Sequence, residues 1–352
     1  MTILVTGGAG FVGSNFVLDW LADSSEPVVN LDLLSYAGTR ANLLSVEGDE
    51  RHRFVRGSIG DTELVLRLLR EHDVRAVINF AAESHVDRSI EDPGAFYETN
   101  VMGTLGLIEA VRCHLAAGSR TGRESFRFLH VSTDEVYGSL EDGQPDSTEE
   151  SAYRPSSPYA ASKAASDHIV RAYGRTYGIP VLVTNCSNNY GPRQFPEKLI
   201  PLMVHRALSG APLPVYGSGQ QVRDWLYVGD HCAALRRVLA AGRPGATYNI
   251  GGNAPRANLE VVERICRLLD EKHPRAGGGS YTAQITHVRD RPGHDRRYGV
   301  DTTRIQTELG WSPAQNFETG LSHTVDWYLE NTSWREQVTG PEFRKWIRKQ
   351  YA

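Results

Sequence analysis

The sequence predicts an α/β fold, a doubly wound parallel sheet joined to a smaller mixed α/β domain. Three observations predict it. Short runs rich in aliphatic and β-branched residues alternate with amphipathic helical stretches through the first half, which is the rhythm of βαβ units. A glycine-rich turn, Gly7-Gly8-Ala9-Gly10-Phe11-Val12-Gly13, stands between the first such run and the first helical pattern. From Asn188 onward the rhythm gives way to loops and shorter elements, so residues 1–187 are expected to form the first domain, 188–352 the second, with 226–252 returning to the first.

The chain has 352 residues, enough for a large core in either arrangement. Hydrophobic content of 40%, charged content of 23% and a net charge of −4 carry no basic excess, which argues against a nucleic-acid partner. Cys113, Cys186, Cys232 and Cys266 lie far apart, so neither a disulfide framework nor a zinc site is indicated. No stretch approaches the ~20 apolar residues of a membrane span, and the first apolar run meets glycine at once. A cytoplasmic protein without leader or membrane anchor is expected.

Thr2 to Thr6 reads as the first strand and the pattern through Leu21 as the first helix. Glycines between them let the backbone approach a pyrophosphate, which the helix N-terminus attracts. A second strand, Pro27 to Leu31, ends at Asp32, 19 positions beyond Gly13 and close to the ~20 expected of an acid that binds the adenine ribose. A carboxylate there repels a 2′-phosphate, so the Rossmann-type turn favours NAD over NADP. The competing reading is a tight βα turn with an unrelated loop acid.

Strands at Arg53–Val55 and Ala76–Phe80 flank a helical pattern from Thr62 to Arg70. The second runs into Ala81-Ala82-Glu83-Ser84-His85, whose small residues would let a dinucleotide lie close and whose Ser84 could reach a substrate. His85 has no cluster of ligands around it in the sequence and reads as a supporting histidine rather than a metal ligand. A long helical pattern from about Pro93 to Ala117 carries Thr99 and Asn100 on a mixed face, where a buried polar pair usually serves packing or a backbone contact.

The apolar run from Phe126 ends in Ser132-Thr133-Asp134-Glu135. Side chains alternate faces along a strand, so both carboxylates reach one site only if the backbone leaves extended geometry there. In a poorly hydrated pocket two carboxylates repel, and one stays protonated while its neighbour is ionised. A helix cap followed by a first-turn acid is the competing reading. Ser139 to Pro158 then reads as a long loop of the kind that walls a site. Beyond it, Tyr159 and Lys163 are four apart on a helix running to about Tyr177, hence neighbours on one face. Bringing a tyrosine from near pKa 10 to neutral pH takes about 4 kcal/mol of differential stabilisation, which a nearby lysine and a positively charged nicotinamide could supply together. An exposed i, i+4 contact is the alternative.

Through Gly7-x-x-Gly10-x-x-Gly13, Asp32 and Tyr159-x-x-x-Lys163 the chain resembles the extended short-chain dehydrogenase/reductase superfamily. Within it, the resemblance narrows to the dTDP-glucose 4,6-dehydratases. It is carried nearly end to end by segments such as Ala81 to Ser89, Ser132 to Gly138, Thr184 to Pro192, Pro196 to Pro201, Arg223 to Val228 and Asp290 to Asp295. The Asp134-Glu135 pair is its specific part.

The resemblance implies a homodimer that uses NAD and a nucleotide-sugar, with Thr133, Asp134, Glu135, Tyr159 and Lys163 as the catalytic set and no metal. It implies a cofactor surface of Gly7, Gly10, Phe11, Val12, Gly13, Asp32, Leu33, Leu34, Ser35, Ser58, Ile59, Ala81, Ala82, Ser84, Thr99, Tyr159, Lys163 and Asn189. The nucleotide-sugar falls to Ser84, Thr133, Asn188, Glu197, Lys198, Leu199, Pro214, Tyr216, Arg223, Asn258, Arg291 and His294. The chemistry agrees: a C4 ketone acidifies the C5 proton, so dehydration needs a base at C5 and an acid at the C6 hydroxyl, beside the Tyr/Lys pair that serves C4. Arg223 and Arg291 suit a diphosphate, which guanidinium binds in bidentate fashion. A 4-epimerase or decarboxylase of the same superfamily is the enzymatic alternative, and an NAD-binding regulatory module the non-enzymatic one.

Three positions depart from the usual family pattern. Leu33 stands where a lysine is common near the adenosine, Ser58 replaces an acid, and Arg193-Gln194 replaces Tyr-His beyond Gly191-Pro192. Farther on, Leu226 to Leu239 reads as a helix, Tyr281 to Val288 as a strand after a short joint at Ala276–Gly279, Phe317 to Leu329 as a packed helix, and the basic stretch Phe343 to Lys349 as a solvated terminal helix.

Overall fold

The structure, a computed structural model, describes residues 1–118 and 122–351. Its strands are β1 (Thr2–Thr6), β2 (Val28–Asp32), β3 (His52–Arg56), β4 (Val74–Asn79), β5 (Arg127–Thr133), β6 (Val181–Cys186), β7 (Asn188–Tyr190), β8 (Leu213–Tyr216), β9 (Val222–Tyr227), β10 (Thr247–Ile250), β11 (Pro255–Ala257) and β12 (Ile285–Val288). Seven of them form one parallel sheet in the order β10-β6-β5-β4-β1-β2-β3. The chain winds outward from β1 through β2 to β3, then returns to place β4 on the other side of β1. That reversal opens a crevice beyond the carboxyl ends of β1 and β4, the place where open α/β sheets bind ligands.

Both faces of the sheet are covered, so its strands are buried almost throughout. The period of two along β1 assigns its side chains to two cores. Ile3 and Val5 join Phe16, Val17 and Trp20 of the helix Phe11–Asp23. Leu4 faces the other way, with Val65 and Leu68 of helix Thr62–Glu71, Leu107 and Val111 of helix Thr104–Ala116, and Val170 of helix Pro158–Tyr177. Later segments rejoin the first core: Leu235 and Val238 of helix Val228–Ala241, Tyr248 and Ile250 of β10, and Ile305, Leu309 and Trp311 beyond them. The remaining strands make a three-stranded sheet, β11-β9-β7, and a parallel pair, β12-β8. These pack with helices Leu199–Leu208, Asn258–Lys272 and Phe317–Glu330 around Tyr190, Trp225, Val261, Phe317 and Tyr328.

Several elements differ from the sequence reading. The pattern from Pro93 to Ala117 is three pieces: a turn of α-helix at Pro93–Phe96, a π-helical segment at Tyr97–Gly103, and the α-helix Thr104–Ala116. Asn100 explains the π segment. Its amide accepts from the Glu83 N–H at 2.9 Å and donates to the Glu83 carbonyl at 3.0 Å, pulling the helix onto the cavity wall. Leu226 and Tyr227 end strand β9, and the helix begins at Val228. Tyr281 opens a 3₁₀ turn, Tyr281–Gln284, because the Ser280 hydroxyl accepts from the Thr282 N–H, and only Ile285–Val288 pairs as strand. The terminal helix Pro341–Gln350 is docked rather than simply solvated: Phe343 is buried, and Ile347 and Tyr351 pack on the cluster around Tyr190, Trp225 and Tyr328.

Candidate active site

A cavity of about 840 Å³ lies along the carboxyl ends of β1, β2, β4 and β5. At one end is the glycine turn. Gly7 has φ +69°, and a Cβ there would fall 2.6 Å from the Ala81 nitrogen, so neither the turn nor the approach of the two strand ends tolerates a side chain. The helix Phe11–Asp23 starts at Gly10 with no side-chain cap. Its first N–H groups are therefore available to an anion, which suits the pyrophosphate of a dinucleotide.

Asp32 is buried, and its two oxygens accept from the Ala9 N–H at 2.8 Å and the Leu34 N–H at 2.7 Å. Burial raises its pKa while those two bonds oppose the rise. Gly7, Gly10, Phe11, Val12, Gly13, Asp32, Leu33, Ser35, Ser58, Ile59, Ala81, Ala82, Ser84, Thr99 and Asn189 all line the cavity. Leu34 does not: at φ +58° it lends its N–H to Asp32 and turns its side chain to the core. Glu83, Cys186 and His231, which sequence reasoning passed over, also line it. Asn100 is the one signal that could have drawn attention to Glu83.

Strand β5 ends at Thr133, and Asp134–Tyr137 forms a 3₁₀ turn in which the Thr133 hydroxyl accepts from the Glu135 N–H at 3.3 Å. The cap and the acid cluster are thus the same structure. Leaving extended geometry brings Asp134 and Glu135 into one cavity with Thr133, Tyr159 and Lys163. The helix that carries Tyr159 and Lys163 starts at Pro158, and the Ser157 hydroxyl caps it by accepting from the Ala160 N–H at 3.1 Å. Lys163 donates from Nζ to the Val131 carbonyl at 2.9 Å.

The charges around the two acids differ. Burial, then Glu135, then Asp224 push the Asp134 pKa well above the ordinary carboxylate range, against Arg223 and the Thr133 hydroxyl. Burial also raises Glu135, but Arg291, Lys198 and Arg223 all pull it back. The first proton therefore goes to Asp134. Its Oδ2, fully buried, has no hydrogen-bond partner among the described residues, a position that favours a neutral O–H. Tyr159 lies in the same buried cluster. Burial and then Glu135 raise its pKa well above the ordinary tyrosine value, with the Thr133 hydroxyl opposing. Lys163 itself is lowered by burial, with Asp167 and Cys186 opposing.

The residues assigned to the nucleotide-sugar fall into two groups. Ser84, Thr133, Asn188, Glu197 and Lys198 line the cavity, with Lys198 Nζ donating to the Ser84 carbonyl at 2.6 Å and Arg88 Nε donating to Glu197 at 2.9 Å. Tyr216, Arg223, Arg291 and His294 lie outside that lining, on a wall beyond Glu135. Asp87 joins two of them, accepting from the Tyr216 hydroxyl at 3.2 Å and from Arg291 at 3.3 Å. Arg223 is buried with its guanidinium 4.3 Å from the Tyr298 ring centre. Leu199 packs on the cluster around Tyr190 and Trp225, Pro214 is buried in β8, and Asn258 starts the helix Asn258–Lys272. Of the departures, Ser58 accepts from the Gly60 N–H at 3.1 Å on the cavity wall, Gln194 lines the cavity, and Arg193 turns away onto Trp327. His85 is buried and held neutral by burial and by Lys198, and no metal-binding cluster occurs among the described residues.

A doubly wound sheet whose crevice holds a glycine turn, a buried acid at the end of β2 and a Tyr/Lys pair defines a dinucleotide-dependent enzyme of the short-chain dehydrogenase type. More narrowly, residues 4–324 match the model of the family described as GDP-mannose 4,6 dehydratase, and the chain belongs to that family. It is 61% identical over 344 residues to the dTDP-glucose 4,6-dehydratase of Xanthomonas campestris pv. campestris strain B100, covering 97% of each chain. It is 52% identical to the dTDP-glucose 4,6-dehydratase 1 of Escherichia coli strain K12, covering 100% of this chain and 99% of the other. The crystal structure of a dTDP-glucose 4,6-dehydratase from Streptomyces venezuelae with NAD bound superposes with a TM-score of 0.87 at 48% identity, over 96% of this chain and 100% of that one.

Proposed function

We propose that the protein is an NAD-dependent hydro-lyase that converts dTDP-glucose to dTDP-4-keto-6-deoxyglucose. The observation that carries this reading is the pairing of Asp134 and Glu135, in unequal charge surroundings, within the cavity that holds Tyr159 and Lys163. A simple oxidoreductase or epimerase has no use for the second pair of acid–base groups; elimination of water requires it.

The roles follow from position. Tyr159, with Thr133 beside it, takes the proton of the C4 hydroxyl, and Lys163, anchored on the Val131 carbonyl, supplies positive charge one helical turn away. NAD, when bound, supplies reversible hydride storage, so C4 is oxidised first and C6 reduced last with no net redox change. Glu135 takes the C5 proton that the C4 ketone has acidified. Asp134 gives its proton to O6, which leaves as water, and Glu135 returns a proton to C5 as C6 is reduced. Glu197 and Lys198 hold the sugar and Arg223 and Arg291 the diphosphate.

The division of labour follows the packing: a cofactor domain of residues 1–187 with 226–252, to which the 303–311 packing also belongs, and a nucleotide-sugar domain from the rest of 188–352, built around Tyr190, Trp225 and Phe317. No helix among the described residues is long and apolar enough to cross a membrane, in keeping with a cytoplasmic enzyme. Exposed Tyr97, Met102 and Tyr177, on or beside the helices that follow the cavity wall, support a homodimer joined across that face.

The test is parallel incubation with dTDP-glucose and UDP-glucose. A nucleotide-sugar product lighter by one water from dTDP-glucose supports the reading, and a product of unchanged mass refutes it.

A further inference from the structure

The terminal helix Pro341–Gln350 reaches back across the chain to the site. The Arg88 guanidinium lies 4.5 Å from the Trp346 ring centre and 3.8 Å from that of Tyr36. Packed against two rings, Arg88 is restricted in direction. Its Nε donates to the Glu197 carboxylate, which is 2% exposed and lines the cavity. One turn further on, Gln350 Nε2 donates to the Tyr216 hydroxyl at 2.8 Å. Tyr216 in turn donates to Asp87, which also holds Arg291. Lys349 pairs with Glu91 at 2.8 Å.

All three attachments converge on the helix Val86–Glu91 and its partners. That helix directly follows the cavity-lining segment Ala81–Ser84. Its residues 87 and 88 point to opposite ends of the proposed nucleotide-sugar site, Asp87 to Arg291 and Arg88 to Glu197. A helix whose only task was to cover apolar surface would need Phe343 and Ile347, not a tryptophan on a carboxylate's arginine and an amide on a site tyrosine. Tyr36 also follows directly on the cavity-lining Ser35, beyond Asp32 and Leu33, so the stack joins the cofactor loop, the sugar wall and the terminal helix.

We propose that the terminal helix is a strap that positions the nucleotide-sugar site, with Trp346 and Gln350 as positioning residues acting through Arg88–Glu197 and Tyr216–Asp87–Arg291. The inference rests on the function proposed above. Neither residue acts on the reacting atoms, so their loss weakens substrate binding while leaving turnover at saturation nearly intact.

The experiment uses the NAD-loaded full chain with Trp346→Ala, Trp346→Phe and Gln350→Ala. Trp346→Ala and Gln350→Ala are each expected to raise KM for dTDP-glucose by about tenfold with kcat within about twofold, and Gln350→Ala, which acts on the diphosphate side through Arg291, to raise Kd for dTDP by calorimetry by a similar factor. Trp346→Phe, which keeps a ring over Arg88, restores most of the affinity. Bound NAD per chain and Tm serve as controls and stay near those of the parent. Unchanged KM and Kd in both alanine variants overturn the strap while parent turnover leaves the functional reading intact. A fall of kcat, NAD content and Tm together, not repaired by phenylalanine, reduces Trp346 to a packing residue and also overturns it. A parent chain that releases no dehydrated product defeats the functional reading itself, and the strap's assignment to substrate with it.

Discussion

Asp134 and Glu135 are adjacent in sequence, line the same cavity, and meet a different balance of charge: carboxylates Glu135 and Asp224 press on the first against Arg223, cations Arg291, Lys198 and Arg223 on the second against Asp295. One 3₁₀ turn is enough to create that asymmetry. It also assigns the acid and the base, because whichever carboxyl sees more negative charge is the one that keeps its proton.

The two roles separate in solvent deuterium. Glu135→Gln is expected to lower dehydration by between about a hundredfold and ten-thousandfold and to abolish deuterium entry at C5. Asp134→Asn lowers dehydration over the same range, yet Glu135 still exchanges the C5 proton of the oxidised sugar. Exchange abolished in Asp134→Asn and preserved in Glu135→Gln would reverse the assignment.

The parts of this arrangement that were legible in the sequence are those set by local spacing. Residues 7–13 can only be a tight turn between strand and helix, and Tyr159 and Lys163 share a face because they are four apart. What local spacing does not carry is the partner each residue finds in a segment distant in the chain. Asn100 sits in a pattern that reads as uninterrupted helix, and only the Glu83 backbone, brought up by β4, draws it into a π-helical segment. Trp346 sits among Arg344, Lys345, Arg348 and Lys349, a composition that reads as solvated until Arg88 is found beneath the ring. Leu34 matters through its N–H alone, and a backbone donor leaves no trace in residue type.

Asp134→Asn also changes stability, in the opposite sense to activity. The folded pKa of Asp134 lies well above the unfolded value of 3.8. Below that unfolded value the aspartate is protonated in both states; above it, ionisation favours the unfolded chain alone, so the native state loses stability as pH rises toward the folded pKa. Asparagine removes that loss. The variant's Tm should match the parent near pH 4 and exceed it by a few degrees, roughly 2–4 °C per kcal/mol, at neutral pH. A variant no more stable at pH 7 than at pH 4, relative to the parent, would mean that Asp134 is not held protonated.

Asn100→Ala should be among the more destabilising changes near the cavity. It leaves both the N–H and the carbonyl of Glu83 without their partner and removes the 2.8 Å bond to the Ser162 hydroxyl beside Tyr159. Backbone groups left unpaired when fully buried cost about 1–3 kcal/mol each, and these two, part-buried at the cavity wall, fall at the low end of that range. Chemical denaturation measures this directly, with a lower midpoint and an unchanged slope as the expected result.

Ser58 is the departure whose reversal is most informative. Its hydroxyl is on the cavity wall and already satisfied by the Gly60 N–H, so Ser58→Asp can keep that contact and present a second oxygen to the adenosine side. A hydrogen bond to a charged acceptor adds about 1.5–3 kcal/mol, and NAD should be retained at least about tenfold more tightly. The measurement is NAD remaining on the protein after extended dialysis, with equal loss from parent and variant counting against an adenosine contact at this position.

Arg291 connects substrate binding to the ionisation of the base, and the pH profile of its variant tests that connection. Burial raises the Glu135 pKa, and Arg291 is the largest of the influences lowering it. Arg291→Gln removes a cation, so the Glu135 pKa rises further and the residue holds its proton to higher pH. Since only the carboxylate can take the C5 proton, the acid limb of kcat must move to higher pH, and the variant loses activity first in acid. Measuring kcat at saturating dTDP-glucose separates this shift from the weaker diphosphate contact, which appears in KM. An acid limb unchanged in position, with only KM altered, would confine Arg291 to substrate binding and leave Lys198 and Arg223 to hold Glu135 ionised.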